Sequence, residues 1–185
     1  RYNDAIGGGR RRGGVYLTGA RPKCGKSSCC INDAIYVSKI LKTPVLYLDT
    51  EMTVDGQLSR IMANLTNLAT NDIETGKFSK NDSNFHSTKI KEAGQLLQAI
   101  PFYYRRIAGK PFEEVLSIIL RFIKENVGVE NGRTKDCLII YDYFKLMDAS
   151  SLKDMQEYQA LGFQISALTD FCSKHEVPCS AYVQL

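Results

Sequence analysis

No stretch of this 185-residue chain approaches the roughly 18 uninterrupted apolar residues that a membrane-crossing helix needs. Its start is basic and glycine-rich, without the apolar core of a signal peptide. No membrane partner is therefore expected, and a cytosolic location is. Zinc-type cysteine pairs are missing as well. Cys29 and Cys30 adjoin, Cys24 falls in a glycine-containing loop, and Cys137, Cys172 and Cys179 lie in apolar segments, so none has C-x-x-C spacing. Reduced, mostly buried thiols are expected. The two histidines, His86 and His175, are isolated and have no ligand partner at useful spacing. There is no linker, and 44% hydrophobic residues over this length suit one compact domain.

The charge is uneven. The whole chain carries +4, yet residues 1–26 hold seven basic side chains (Arg1, Arg10, Arg11, Arg12, Arg21, Lys23, Lys26) against Asp4 alone. That excess favours a polyanionic ligand, nucleotide or nucleic acid, while for Arg10 to Arg12 a solvated entry segment is an equal alternative.

Along the chain, apolar runs alternate with helical patterns. Val15-Tyr16-Leu17-Thr18, flanked by glycines, reads as a buried strand, and a helix follows from Lys26 to about Leu41, ahead of Pro44. Val45-Leu46-Tyr47-Leu48 reads as a strand covered on both faces that ends in Asp49 and Glu51. A helix from about Thr53 to Leu68 places Leu58, Ile61, Met62, Leu65 and Leu68 on one side. A polar surface excursion then covers 69–87, with a short helix from about Thr88 to Ala99. Pro101 to Tyr104 reads as a strand, Phe112 to about Asn126 as a helix, and Gly128 to Lys135 as a loop. Cys137 to Tyr141 reads as a strand terminating at Asp142, Gln156 to His175 as a helix, and Cys179 to Val183 as a last strand closing on Gln184 and Leu185. The alternation predicts an α/β fold with a mostly parallel sheet sandwiched between helices. Ligands of such sheets bind at the carboxyl ends of the strands, which directs attention to residues 19–27, Asp49 to Met52, Asp142 and Gln184.

Ala20-Arg21-Pro22-Lys23-Cys24-Gly25-Lys26-Ser27 departs from the phosphate-loop pattern G-x-x-x-x-G-K-[ST] only at its first position. A strand before it and a helix after it give the pattern its context. Backbone N–H groups of the loop and helix start between Ala20 and Ser28, Pro22 excepted because it has none, can cradle the phosphates of ATP, Lys26 can reach the β and γ oxygens, and the Ser27 hydroxyl can ligate Mg2+. Asp142, after an apolar run, is the expected Walker B carboxylate for Mg2+ on a strand beside the loop. Glu51, on a strand neighbouring the loop, is the candidate general base for water attack. Asp49 competes for that role, but sits nearer the strand body and could bond backbone or Ser27 instead. Gln184 could sense the γ-phosphate, although a strand-end glutamine is more often simply solvated. Cys24 is either a reactive thiol in a positive field or packed beneath the loop, and packing is favoured. Tyr103-Tyr104-Arg105-Arg106 could stack and pair with nucleic acid, but reads better as a strand end. Lys145 and Lys153, in the polar loop after Asp142, are the better candidates for DNA contact.

These residues carry a resemblance. Ala20-Arg21-Pro22 leading into Gly25-Lys26-Ser27, Glu51-Met52, Glu74-Thr75-Gly76, Asp142-Tyr143, and Val177-Pro178 leading to Gln184-Leu185 stand in family order along nearly the whole chain. The chain resembles the C-terminal ATPase domain of DnaB-type replicative DNA helicases, including phage versions, in which alanine at the first loop position is usual. The resemblance implies a RecA-like P-loop NTPase fold, ATP with Mg2+, a hexameric ring and translocation on single-stranded DNA. It also implies a primase or loader as partner and a location in the cytoplasm of a bacterial cell or phage-infected host. By position it assigns Lys26 and Ser27 to phosphate and Mg2+, Glu51 to the catalytic glutamate, Asp142 to Walker B and Gln184 to the γ-phosphate sensor. On this reading residues 1–185 are one ATPase core, without the family's N-terminal domain and its C-terminal strands and basic finger, and weakly active alone. Ile6-Gly7-Gly8-Gly9, the basic run and Gly13-Gly14 also resemble the entry segment of KaiC-like and RadA-like ATPases. Those would act on DNA filaments or protein partners, and a slow nucleotide-dependent binding module or loader is the remaining alternative.

Overall fold

The computed structural model describes residue 4 and residues 7–77, 83–145 and 157–184. Ile6, Lys153, Leu185 and most of the loop after Asp142 lie outside the described residues. Strand β1 (Val15–Ala20) runs through the glycine loop into α1 (Lys26–Lys39), then β2 (Val45–Asp49) and α2 (Val54–Thr66). Next come α3 (Thr70–Thr75), α4 (Ser83–Ala99), β3 (Phe102–Arg106) and α5 (Phe112–Phe122), which ends in a π-helical turn over Ile123–Val127. Short strands β4 (Val129–Glu130) and β5 (Arg133–Thr134) precede β6 (Leu138–Phe144), α6 (Glu157–His175) and β7 (Cys179–Gln184).

The five long strands pair in parallel in the order β1-β7-β6-β2-β3. Because strand side chains alternate between faces, the sheet has two cores. Val45, Tyr47, Leu138 and Ile140 pack on one face with Cys30, Ile31, Ala34 and Ile35 of α1 and Ile61 of α2. Leu46, Leu48, Ile139 and Tyr141 pack on the other with Val115 and Ile119 of α5 and Leu168 and Cys172 of α6. The predicted sandwich is what forms. Asp142 continues the 138, 140 series, so it points to the α1 face.

Several local expectations are corrected. β1 lies at a sheet edge, leaving Leu17 49% exposed where a buried strand was expected. The strand that carries Asp142, β6, is not beside the loop strand, because β7 is inserted between them, and β2 lies farther still. In α2 the inward position belongs to Gln57, fully buried, while Leu58 is 45% exposed. The excursion over 69–87 contains α3, and α4 begins at Ser83 rather than Thr88. Residues 128–135 form an antiparallel hairpin instead of a loop. Its turn is Asn131-Gly132, both at positive φ (52° and 78°), the pair that two-residue hairpins favour.

Candidate nucleotide-binding site

Gly25, at φ 85°, opens α1 in the left-handed conformation that glycine adopts without steric cost. No side chain caps this helix start and no acidic residue occupies the first turn. The N–H groups there and the positive end of the helix dipole are thus turned to the loop, the arrangement that receives phosphate. Arg21 to Gly25 are exposed, Ala20, Lys26 and Ser27 are half-buried, and Ser28 is exposed. Cys24 is exposed too, which corrects the expectation that it packs beneath the loop; of the six thiols only Cys29 shares that exposure.

Lys26 ties the loop together. Its Nζ donates to the Ala20 carbonyl (3.4 Å) and to Gln184 Oε1 (3.5 Å), and sits 5.3 Å from the centre of the Tyr143 ring. Gln184 pairs in register with Ala20, so the insertion of β7 is what carries the sensor candidate to the start of the loop. Lys145 lies 5.8 Å from the same Tyr143 ring.

Asp142 is 3% exposed. Its Oδ2 accepts a 2.5 Å hydrogen bond from the Tyr47 hydroxyl, while Oδ1 is buried and makes no hydrogen bond of normal geometry, with the Ser27 hydroxyl beside the carboxylate. Burial pushes its carboxyl above the ordinary value against the opposing effects of the Tyr47 and Ser27 hydroxyls, and the Asp49 charge adds to the rise. A buried carboxylate oxygen without a well-formed hydrogen bond, next to the hydroxyl of Ser27, is a donor set that fits a hard divalent cation such as Mg2+. Among the described residues no group of three or more His, Cys, Asp and Glu is placed to hold a metal ion.

Asp49 and Glu51 separate clearly. Asp49 is 1% exposed, with Oδ1 accepting from the backbone N–H of Glu51 (2.8 Å) and Met52 (2.9 Å) and Oδ2 accepting from the Tyr104 hydroxyl (3.1 Å). Its bonds go to backbone and to Tyr104. Glu51 is exposed at the tip of the turn that Asp49 holds, open to a water molecule. Sequence reasoning missed Tyr47 and Tyr104, although each stands two residues ahead of its carboxylate's level on the neighbouring strand, a signal that the register would have exposed.

The basic entry segment is not gathered at the loop. Arg10 pairs with Asp33 of α1, and Arg12 reaches Thr134 O and Asp136, both at 2.7 Å, beside the starts of β6 and β7. That is the amino-terminal end of these strands, away from the loop, where a cavity of about 410 Å³ is lined by both arginines, Asp33, Asp136 and Glu176. These two arginines anchor the entry segment. Tyr103 packs on Phe122 with ring centres 5.4 Å apart, so it too is structural. Lys153 is not among the described residues.

A family model described as the DnaB-like helicase C terminal domain matches residues 2–185. The chain belongs to this family. A probable replicative DNA helicase of Trieres chinensis is 22% identical over 182 residues, 98% of this chain and 38% of that protein. The replicative DNA helicase DnaB of Nostoc sp. is 25% identical over 182 residues, covering 98% of this chain and 19% of that protein. The chain thus spans well under half of either relative. A solved DnaB-like replicative helicase, determined with its interactions with primase, superposes at a TM-score of 0.83 over 96% of this chain and 40% of that one, at 18% identity. At that identity the likeness speaks for the fold alone. Among the described residues no helix is long and apolar enough to cross a membrane.

Proposed function

We propose that this chain is the ATP-hydrolysing motor core of a replicative DNA helicase that translocates on single-stranded DNA and unwinds duplex. The observation that carries it is the meeting of Lys26, Gln184, Ser27 and Asp142 at the uncapped start of α1, in a member of the DnaB-like family. The backbone N–H groups at the loop and the start of α1, together with Lys26, bind the β- and γ-phosphates, with Lys26 offsetting charge on the transferred phosphoryl group. Ser27 and Asp142 hold Mg2+, which when bound neutralises phosphate charge. Glu51 orients a water toward the γ-phosphorus and accepts its proton as the bond to the leaving ADP oxygen breaks. Gln184, bonded to Lys26, reads whether a γ-phosphate is present. Arg21, Pro22, Lys23 and Cys24 form the exposed rim of the nucleotide site.

Residues 1–185 make up one ATPase core, completed by the rest of the protein and by neighbouring copies in a hexameric ring. Lys145 faces the same side as the nucleotide and is the candidate for DNA contact, and a primase or a loader is the expected protein partner. The test is unwinding of a forked duplex by the full-length protein. ATP-dependent unwinding that Glu51→Gln abolishes is expected; ATP turnover with no strand separation would point instead to a filament- or protein-remodelling ATPase of the same fold.

A further inference from the structure

We propose that Tyr104 and Arg106 on β3, with Asp49, form a clamp that positions Glu51, and that Tyr104 is the residue that sets its alignment. This rests on the reading of Glu51 as the general base. Glu51 is exposed, so the place of its carboxylate is decided by the backbone that carries it. That backbone is tied at every step. Thr50 N donates to Asp142 O (3.0 Å) and Thr50 Oγ1 to Tyr143 O (2.9 Å), which fastens the turn to the Walker B strand. The N–H groups of Glu51 and Met52 share Asp49 Oδ1, and the Met52 carbonyl accepts from Arg106 Nε at 3.1 Å.

One carboxylate oxygen taking two N–H groups fixes the turn only if the carboxylate itself cannot rotate. The Tyr104 hydroxyl supplies that constraint by donating to the other oxygen. Burial and the Asp49 charge hold the Tyr104 phenol above its ordinary value, so it remains a donor through neutral pH.

The arrangement is used twice, one strand apart. Tyr47 on β2 donates to Asp142 on β6, and Tyr104 on β3 donates to Asp49 on β2. Tyr47 and Tyr104 are register partners with ring centres 6.2 Å apart, and Asp49 and Asp142 are register partners in turn. One tyrosine therefore serves the carboxylate on the metal side and the other serves the turn on the water side. A shift of the β3 edge relative to β2 would move Glu51 without touching the phosphate loop.

The experiment measures DNA-stimulated ATP hydrolysis by the full-length protein for Tyr104→Phe, Arg106→Gln, Glu51→Gln and the Tyr104→Phe/Glu51→Gln double variant, with ADP affinity and melting temperature alongside. Losing one hydrogen bond from the clamp should lower kcat of Tyr104→Phe by about fivefold, with KM for ATP and ADP affinity within about twofold. In the Glu51→Gln background the same change should cost nothing further, because the group being aligned is gone. Should Tyr104→Phe melt early, Arg106→Gln, whose side chain is exposed, reads the clamp from the Met52 side. A folded Tyr104→Phe with unchanged kcat beside an inactive Glu51→Gln overturns the clamp alone. An equal loss in both backgrounds also overturns it, since the tyrosine would then act elsewhere. Full activity in Glu51→Gln instead sinks the general-base reading beneath it.

Discussion

Asp142→Asn should make the protein more stable at neutral pH while removing its Mg2+-dependent hydrolysis. The side chain is 3% exposed, keeps a hydrogen bond from Tyr47 on one oxygen, and has its other oxygen buried and unpaired beside the register-paired Asp49. An asparagine of the same shape can still accept from Tyr47 but carries no charge. Taking the charge out of this buried site, with the new Nδ2 able to donate to the Ser27 hydroxyl, is worth about 1–3 kcal/mol. For a domain of this size that corresponds to a rise in Tm of about 2–12 °C. The pH dependence has a definite sign. The folded carboxyl titrates above its ordinary value because burial disfavours the charge, so the fold prefers the protonated form. Stability attributable to Asp142 is fully present below about pH 4 and is lost as pH rises through the folded value. The gap between variant and wild type should therefore open from acid to neutral pH. Thermal denaturation of both proteins at about pH 4 and pH 7 measures it. An Asn variant no more stable than wild type at neutral pH, or a gap independent of pH, would refute the reasoning.

Two other substitutions probe the scaffold. Gln57 is fully buried with neither amide atom hydrogen-bonded, so Gln57→Leu should raise unfolding stability by about 1–3 kcal/mol, read by denaturant titration. A loss of stability would show that the amide has a role the packing hides. Arg12→Ala should leave nucleotide affinity unchanged, because the guanidinium is bonded at the amino-terminal end of the strands, and should cost at most about 1 kcal/mol of stability for its partly exposed ion pairs. A marked fall in ATP binding would return this arginine to the phosphate site.

What was legible in the sequence follows from how local each feature is. The phosphate loop is contiguous, and its strand, glycine and helix lie within 25 residues of one another, so pattern and geometry agree. Glu51, Asp142 and Gln184 could be singled out as candidates because the carboxyl ends of the strands of a parallel sheet lie on one side. Strand order was not legible: the insertion of β7 between β1 and β6 depends on pairings between distant segments that no local pattern encodes. The charge count failed at Arg12 because its carboxylate partner Asp136 is 124 positions away. Tyr104 and Asp49, 55 positions apart, were hidden for the same reason. Two misses had signals that were present. Asn131-Gly132 marks a hairpin turn, and the helical stripe of α2 shifts by one position to place Gln57 inward in place of Leu58.

The central claim is that Glu51 activates water at a nucleotide held by the loop of Lys26 and Ser27. Its most direct test compares Mg2+-ATP hydrolysis and ATP binding for full-length wild type and Glu51→Gln in the presence of single-stranded DNA. Loss of a positioned general base predicts a fall in kcat of about 100-fold or more with ATP affinity retained. Hydrolysis by Glu51→Gln at the wild-type rate would contradict the account.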